Sequence, residues 1–147
     1  MNDRQWTICV AINALQWTEN DIKTIWLNGL HMPSWDGQFC SETVCAIASA
    51  SENTNKFMLS NYSEGLYSKY KNSGRISPVP VPGAVVFFKI GNTSVPNHTG
   101  LIIGVTDYEI ITVEGNTGSY AVRLHTYKKT DKSIFAYALP YYDDIRL

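Results

Sequence analysis

Residue types that together cleave amide bonds are spread through this 147-residue sequence: a thiol at Cys40, an imidazole at His98, a carboxylate at Glu114 and an amide at Asn116. Cys40 follows a loop written in turn formers (Pro33, Ser34, Asp36, Gly37) and opens a run of small and apolar residues that reads as a helix. A helix N-terminus carries roughly half a positive charge, which favours thiolate over thiol. His98 stands in Pro96-Asn97-His98-Thr99-Gly100, just ahead of a strand-like run, so its ring projects from a strand end while Gly100 permits close packing beside it. An imidazole there takes a thiol proton and later protonates a leaving amine. Glu114 and Asn116 end the next strand-like run, and a hairpin between the two runs returns Glu114 to the level of His98. A carboxylate or amide on the far ring nitrogen orients the imidazole, the third role in nucleophile, base and orienter logic. Each residue also has a plainer reading taken alone. Cysteine is a small buried hydrophobe, a histidine is often a packing or surface residue, and Glu-Gly-Asn-Thr-Gly satisfies an ordinary turn.

The elements that must position these groups follow from periodicity. Apolar residues from Asp3 to Trp17 fit one helical face imperfectly, and Thr18 or Asn20 caps a second helix holding Ile22, Ile25, Trp26 and Leu30. Cys40 to Ala50 is a third helix, with Val44, Ile47 and Ala48 on one side. A fourth is expected over Asn55 to Tyr70, ended by Asn72, Ser73 and Gly74. The period changes at Pro78. Val85–Ile90, Gly100–Val105, Glu109–Val113, Tyr120–Leu124 and Ile134–Leu139 are short runs rich in β-branched and aromatic residues, separated by turn formers that include Gly115-Asn116-Thr117-Gly118. Helices followed by strands joined through short turns mean an α+β fold with an antiparallel sheet of about five strands, and no linker or repeat divides residues 1–147.

Composition narrows the partners. Twelve Lys and Arg against thirteen Asp and Glu give a net charge of −1, so no strong field draws in nucleic acid or an anionic membrane. No apolar run approaches the roughly 20 residues of a spanning helix, so no membrane insertion is expected. Met1-Asn2-Asp3-Arg4 leads into no signal-peptide pattern, which reads as synthesis in the cytoplasm. Three cysteines without Cys-x-x-Cys spacing argue against a disulfide framework or a structural zinc site. Cys45 lies about 140° round the helix from Cys40 and reads as core packing. Cys9, on the apolar side of the first helix, gets the same reading. The aromatics Trp17, Trp26, Trp35, Tyr62, Tyr67, Tyr70, Tyr120, Tyr141 and Tyr142 exceed what a core needs, and aromatic rims are common in grooves that hold sugars or peptides. Trp35, five residues before Cys40, is the expected groove wall.

Four segments in order, Gly37-Gln38-Phe39-Cys40-Ser41-Glu42-Thr43-Val44, Pro82-Gly83-Ala84-Val85-Val86-Phe87-Phe88, Asn97-His98-Thr99-Gly100-Leu101-Ile102-Ile103-Gly104 and Val113-Glu114-Gly115-Asn116-Thr117-Gly118, resemble the landmarks of the CHAP family of cysteine amidohydrolases and peptidases. The resemblance spans about Trp35 to Leu139. It implies a papain-like fold, Cys40 as nucleophile, His98 as base, Glu114 as the group orienting the imidazole, Asn116 as a further polar member, and Gln38 beside the substrate. It also implies bacterial peptidoglycan as the partner, cut at the muramoyl–alanine amide or within the stems and cross-bridges. The expected setting is a phage or prophage lysin, a tail-borne lysin or a secreted effector, with wall targeting from the groove, a partner chain or a module outside this sequence. Some members bind calcium through an acidic loop before the cysteine; only Asp36 of that pattern is present, and one carboxylate is a poor site for an ion taking six to eight oxygens, so neither metal nor cofactor is expected. Two other classes stay open: a cysteine hydrolase of a non-wall amide or protein, and a non-catalytic phage structural module of the same fold.

Overall fold

The computed structural model describes residues 1–117 and 120–147. Gly118, the last residue of the turn expected over Gly115 to Gly118, lies outside the described residues, as do Ser119 and the side chains of Thr117 and Tyr120. Four α-helices precede the sheet: α1 (Asp3–Asn13), α2 (Glu19–Thr24), α3 (Cys40–Ala50) and α4 (Ser63–Asn72). Six strands follow among the described residues: β1 (Ile76–Ser77), β2 (Val85–Phe88), β3 (His98–Val105), β4 (Glu109–Thr117), β5 (Tyr120–Lys128) and β6 (Ile134–Ala138). They form one antiparallel sheet in the order β1-β6-β2-β3-β4-β5. The α+β class is as the sequence predicts, with six strands in place of about five. The extra one, β1, is a two-residue edge beside Pro78, too short to leave a periodic signal.

Local chemistry fixes the helix starts. Asn2 and Gln5 make a capping box at α1, and Thr18 and Asp21 make another at α2, so of the two expected caps for the second helix Thr18 is the one used. Cys9 departs from the expectation of core packing. The buried face of α1 is Thr7, Val10 and Ala11, continued by Ala14 in the 3₁₀ turn that follows, which turns Cys9 outward with Trp6 and Ile12. The nine-residue C-terminal stretch after β6 is tied back by Lys56, which bonds both Asp3 and Asp143, and by Arg4 with Asp144.

The helix expected over Asn55 to Tyr70 is divided. A 3₁₀ turn covers Thr54–Lys56, residues 57–62 run without helix, and α4 begins at Ser63. Tertiary contacts override the helical pattern there. Phe57 is buried edge-on against Tyr142, and the carbonyl of Ser60 accepts from the Ser41 hydroxyl, which fastens the segment across α3. As a result the N-terminus of α4 faces the start of α3.

α3 is the centre of the molecule. Every residue from Cys40 to Ala48 is buried, and the helix packs on β3 and β4 on one side and on α1 and α4 on others. Its small residues, Ser41, Ala46 and Ala48, let it be enclosed on all sides. The sheet supplies Val85, Val86, Phe87, Phe88, Leu101, Ile102, Ile110 and Val113 to the same core. Gly115 permits the closest approach: a Cβ there would stand 2.9 Å from the Phe39 carbonyl and would overlap Thr43, so only glycine lets β4 lie against the first turn of α3.

Candidate active site

Cys40 is the first residue of α3, and the residue ahead of it, Phe39, offers no side-chain cap. The first N–H groups of the helix are therefore left for whatever lies at its mouth. Cys40 is 9% exposed and opens onto a cleft of about 290 Å³ whose lining includes His98, Asn116, Gln38, Ser63 and Tyr62. The thiol is recessed but reachable.

His98 begins β3, paired with Phe88 at the end of β2, and its ring packs 5.6 Å from the Phe88 ring. Asn97 clamps the preceding loop by bonding both the N–H and the carbonyl of Ile90 at 2.8 Å. The β3–β4 register, with Leu101 opposite Val113, returns Glu114 beside Gly100, and Nε2 of His98 donates to Glu114 Oε1 at 2.6 Å. A Cβ at Gly100 would stand 2.5 Å from Glu114 Cγ, so the carboxylate occupies the space that glycine leaves free. The hairpin inference from the sequence thus matches the geometry. With Nε2 committed to Glu114, Nδ1 is the ring nitrogen left for Cys40.

Glu114 is buried and accepts three hydrogen bonds: from His98, from the Tyr127 hydroxyl at 3.0 Å, and from the Thr112 hydroxyl. Burial works to raise its carboxyl, but the bond to and charge of His98, with Thr112, outweigh it and hold the group below the usual carboxylate range. Burial alone would lower His98, yet its hydrogen bonds and charge interactions with Cys40 and Glu114 raise the imidazole to about 9. Burial likewise pushes the Cys40 thiol up, and the hydrogen bond and charge of His98, the Ser63 hydroxyl and the Ser41 N–H more than reverse it, leaving the thiol below its ordinary value. Near neutral pH His98 is imidazolium and Glu114 carboxylate, and the lowering of Cys40 runs in the direction that favours passing the thiol proton to the ring.

Other expected residues take their places around this centre. Asn116 is exposed on the cleft wall with a left-handed backbone, φ 60°, a conformation asparagine tolerates better than most residues. Gln38 lines the cleft too, and its N–H bonds Asp36 Oδ1 at 2.9 Å. Trp35 stacks on Phe39 with ring centroids 5.8 Å apart and lies outside the lining. The aromatic on the cleft is Tyr62, 56% exposed, held over Gly65, where a Cβ would meet the ring at 2.7 Å. Cys45 is fully buried, its thiol pushed up to about 12 chiefly by burial, and is inert as expected.

The sequence reading passes over four residues. Thr112 and Tyr127 support Glu114, and both look like ordinary strand residues until the register is known. Ser63 Oγ lies 3.4 Å from Cys40 Sγ. Its signal was a serine followed by Glu64, a pattern typical of helix starts, inside a segment read as one helix. Glu42, two residues after Cys40, is 0% exposed, and among the described residues no donor reaches either carboxyl oxygen. Burial first, then the neighbouring Asp36 carboxyl and the charge of Cys40, raise it to about 9, so it is carried as a neutral acid.

Compared with the models of known protein families and with curated proteins, the chain matches none.

Proposed function

We propose that this chain is a cysteine-dependent amide hydrolase acting on peptidoglycan, of the papain-like CHAP type. The observation that carries the hydrolase reading is that Cys40 and His98 line one cleft, with His98 hydrogen-bonded to buried Glu114 and lowering the Cys40 thiol, and with Cys40 at an uncapped helix N-terminus. Peptidoglycan as substrate rests on the four ordered segments that resemble that family.

The chemistry follows from the charges. The Cys40 thiolate attacks the amide carbonyl, and the N–H groups at the start of α3 receive the developing oxyanion. His98 gives its proton to the amine as the C–N bond breaks, leaving a thioester. Water then attacks the acyl carbon and gives its proton to His98, and the C–S bond breaks with its electron pair returning to sulfur. Glu114 keeps the ring oriented and compensates the imidazolium at both stages.

Room for a polymeric substrate supports the reading. A second hollow of about 550 Å³, with neither cysteine nor histidine in its lining, adjoins the reactive cleft and shares Asn61, Tyr62 and Glu64 with it. Trp26, Met32, Pro33 and Leu59 give it an apolar floor, with serines and Asn61 around it. Such a mixture suits a chain carrying both apolar and polar faces.

Turbidity loss of purified cell walls, compared between the native chain and Cys40→Ala, tests the proposal. Clearing by the native chain alone is expected, with new amine ends in the released fragments that identify the bond by mass. No clearing by either form would remove the wall-lytic reading.

A further inference from the structure

A thiolate in a recessed site is costly unless donors surround it, and sulfur is large enough to accept several hydrogen bonds. From the sheet side, His98 serves this need. On the helical side the nearest group is Ser63, the first residue of α4, with Oγ 3.4 Å from Sγ. Ser63 is buried, and among the described residues its hydroxyl's partner is Cys40 rather than a carbonyl of its own helix.

We propose that Ser63 is a further catalytic residue whose hydroxyl donates to the ionised sulfur of Cys40. While sulfur carries a proton, either atom of the pair can donate. Once sulfur is ionised only the hydroxyl can, and the bond becomes charge-assisted, which selectively stabilises the thiolate. The ten-residue helix behind Ser63 adds to this, since Tyr62 offers its N-terminus no side-chain cap and the positive end lies at the same sulfur. Two helix starts, those of α3 and α4, therefore meet at one atom.

This arrangement acts at both ends of the reaction. It raises the thiolate population before attack. It also stabilises sulfur as leaving group when water has added to the thioester and the C–S electron pair returns to Sγ. The proposal rests on Cys40 as the nucleophile and is independent of the substrate's identity.

The groups that could shape the titration of Cys40 are His98 on β3, Glu42 on α3, Asp36 in the loop before it and Glu64 on α4. All four are constant in a comparison confined to position 63. The test is the rate of Cys40 alkylation by iodoacetamide, measured from acid to alkaline pH in a Cys9→Ser background, because Cys9 is exposed. Ser63→Ala is expected to displace the profile to higher pH, so that near pH 5 Cys40 reacts about tenfold more slowly while the alkaline plateau is unchanged. Ser63→Thr, which keeps the hydroxyl, is expected to restore the native profile. Cys45, wholly buried, must stay unlabelled, and if it does not in Ser63→Ala, then Ser63→Gly carries the comparison. A profile for the hydroxyl-less chain that superimposes on the native one overturns the proposal, as does an equal loss in Ser63→Thr, which would assign the effect to packing. No wall substrate enters this experiment, so its failure is distinguishable from failure to clear cell walls.

Discussion

Replacing Glu42 by Gln removes a carboxyl that the fold holds against its chemistry. Glu42 is 0% exposed, no donor among the described residues reaches it, and burial with the nearby Asp36 raises it to about 9 against an ordinary 4.5. A group of this kind binds its proton more tightly in the folded chain than in the unfolded one. Its contribution to stability is therefore fully present below about 4.5 and is lost steadily as the pH rises toward about 9. The loss is about 1.4 kcal/mol for each pH unit in that window, which amounts to roughly 3 kcal/mol by pH 7. That is a large part of the 5 to 15 kcal/mol that roughly spans domain stability. Glutamine has nearly the same shape, does not ionise in the unfolded chain, and offers an N–H to Asp36. Urea unfolding of the native chain and Glu42→Gln, repeated at several pH values between about 5 and 8, isolates the effect because every other titrating group is common to both. The native chain should lose stability relative to Glu42→Gln by about 1.4 kcal/mol per pH unit. Parallel stability curves would refute the claim that Glu42 is carried as a neutral acid.

Other expectations follow from the same geometry. Glu114→Gln takes the negative charge from His98 while leaving a hydrogen-bonding group, so the imidazole should titrate below about 9 and kcat/KM for wall hydrolysis should fall by about 10²-fold or more. In the native chain activity should decline above about pH 9, as His98 loses the proton destined for the leaving amine; an unchanged rate well beyond that would contradict the assignment. Gly100→Ala puts a Cβ 2.5 Å from Glu114 Cγ and 3.1 Å from the Val113 carbonyl, so thermal unfolding should show a loss of about 1–3 kcal/mol and hydrolysis should fall with it. Tyr62→Ala should raise KM for intact wall material while leaving the rate of Cys40 alkylation at its native value, because the exposed ring lines the cleft and Cys40 has its hydrogen bond with Ser63.

The parts of this fold written in local chemistry were legible from the residues. Cys40 at a helix start followed from the turn formers ahead of it and the small residues after it, and the opposition of His98 and Glu114 followed from two strand-like runs with a short connection. Gly100, between them in space, was readable as a site of close packing, although what fills the gap depends on the register. The break at residues 57–62 was not legible, because Phe57, Met58, Tyr62, Leu66 and Tyr70 do carry helical spacing. Burial against Tyr142 and the bond from Ser41 decide the matter, and these are contacts between segments far apart in the chain. The same break brings Ser63 to Cys40, so the missed element boundary and the missed site residue have one cause. Trp35 illustrates another limit. Proximity in sequence pointed to it as the groove wall, while stacking on Phe39 turns it elsewhere and leaves that place to Tyr62. Cys9 was misplaced because a helix of weak amphipathic pattern gives little warning of which face it buries.

The central claim is that Cys40 is ionised by His98 near neutral pH. The ultraviolet absorbance of the thiolate, taken as the difference between the native chain and Cys40→Ser near pH 7, measures this without a substrate. One thiolate equivalent in the native chain, abolished by His98→Ala, is the result predicted. Absence of the band in the native chain, or its survival without the imidazole, would contradict the account.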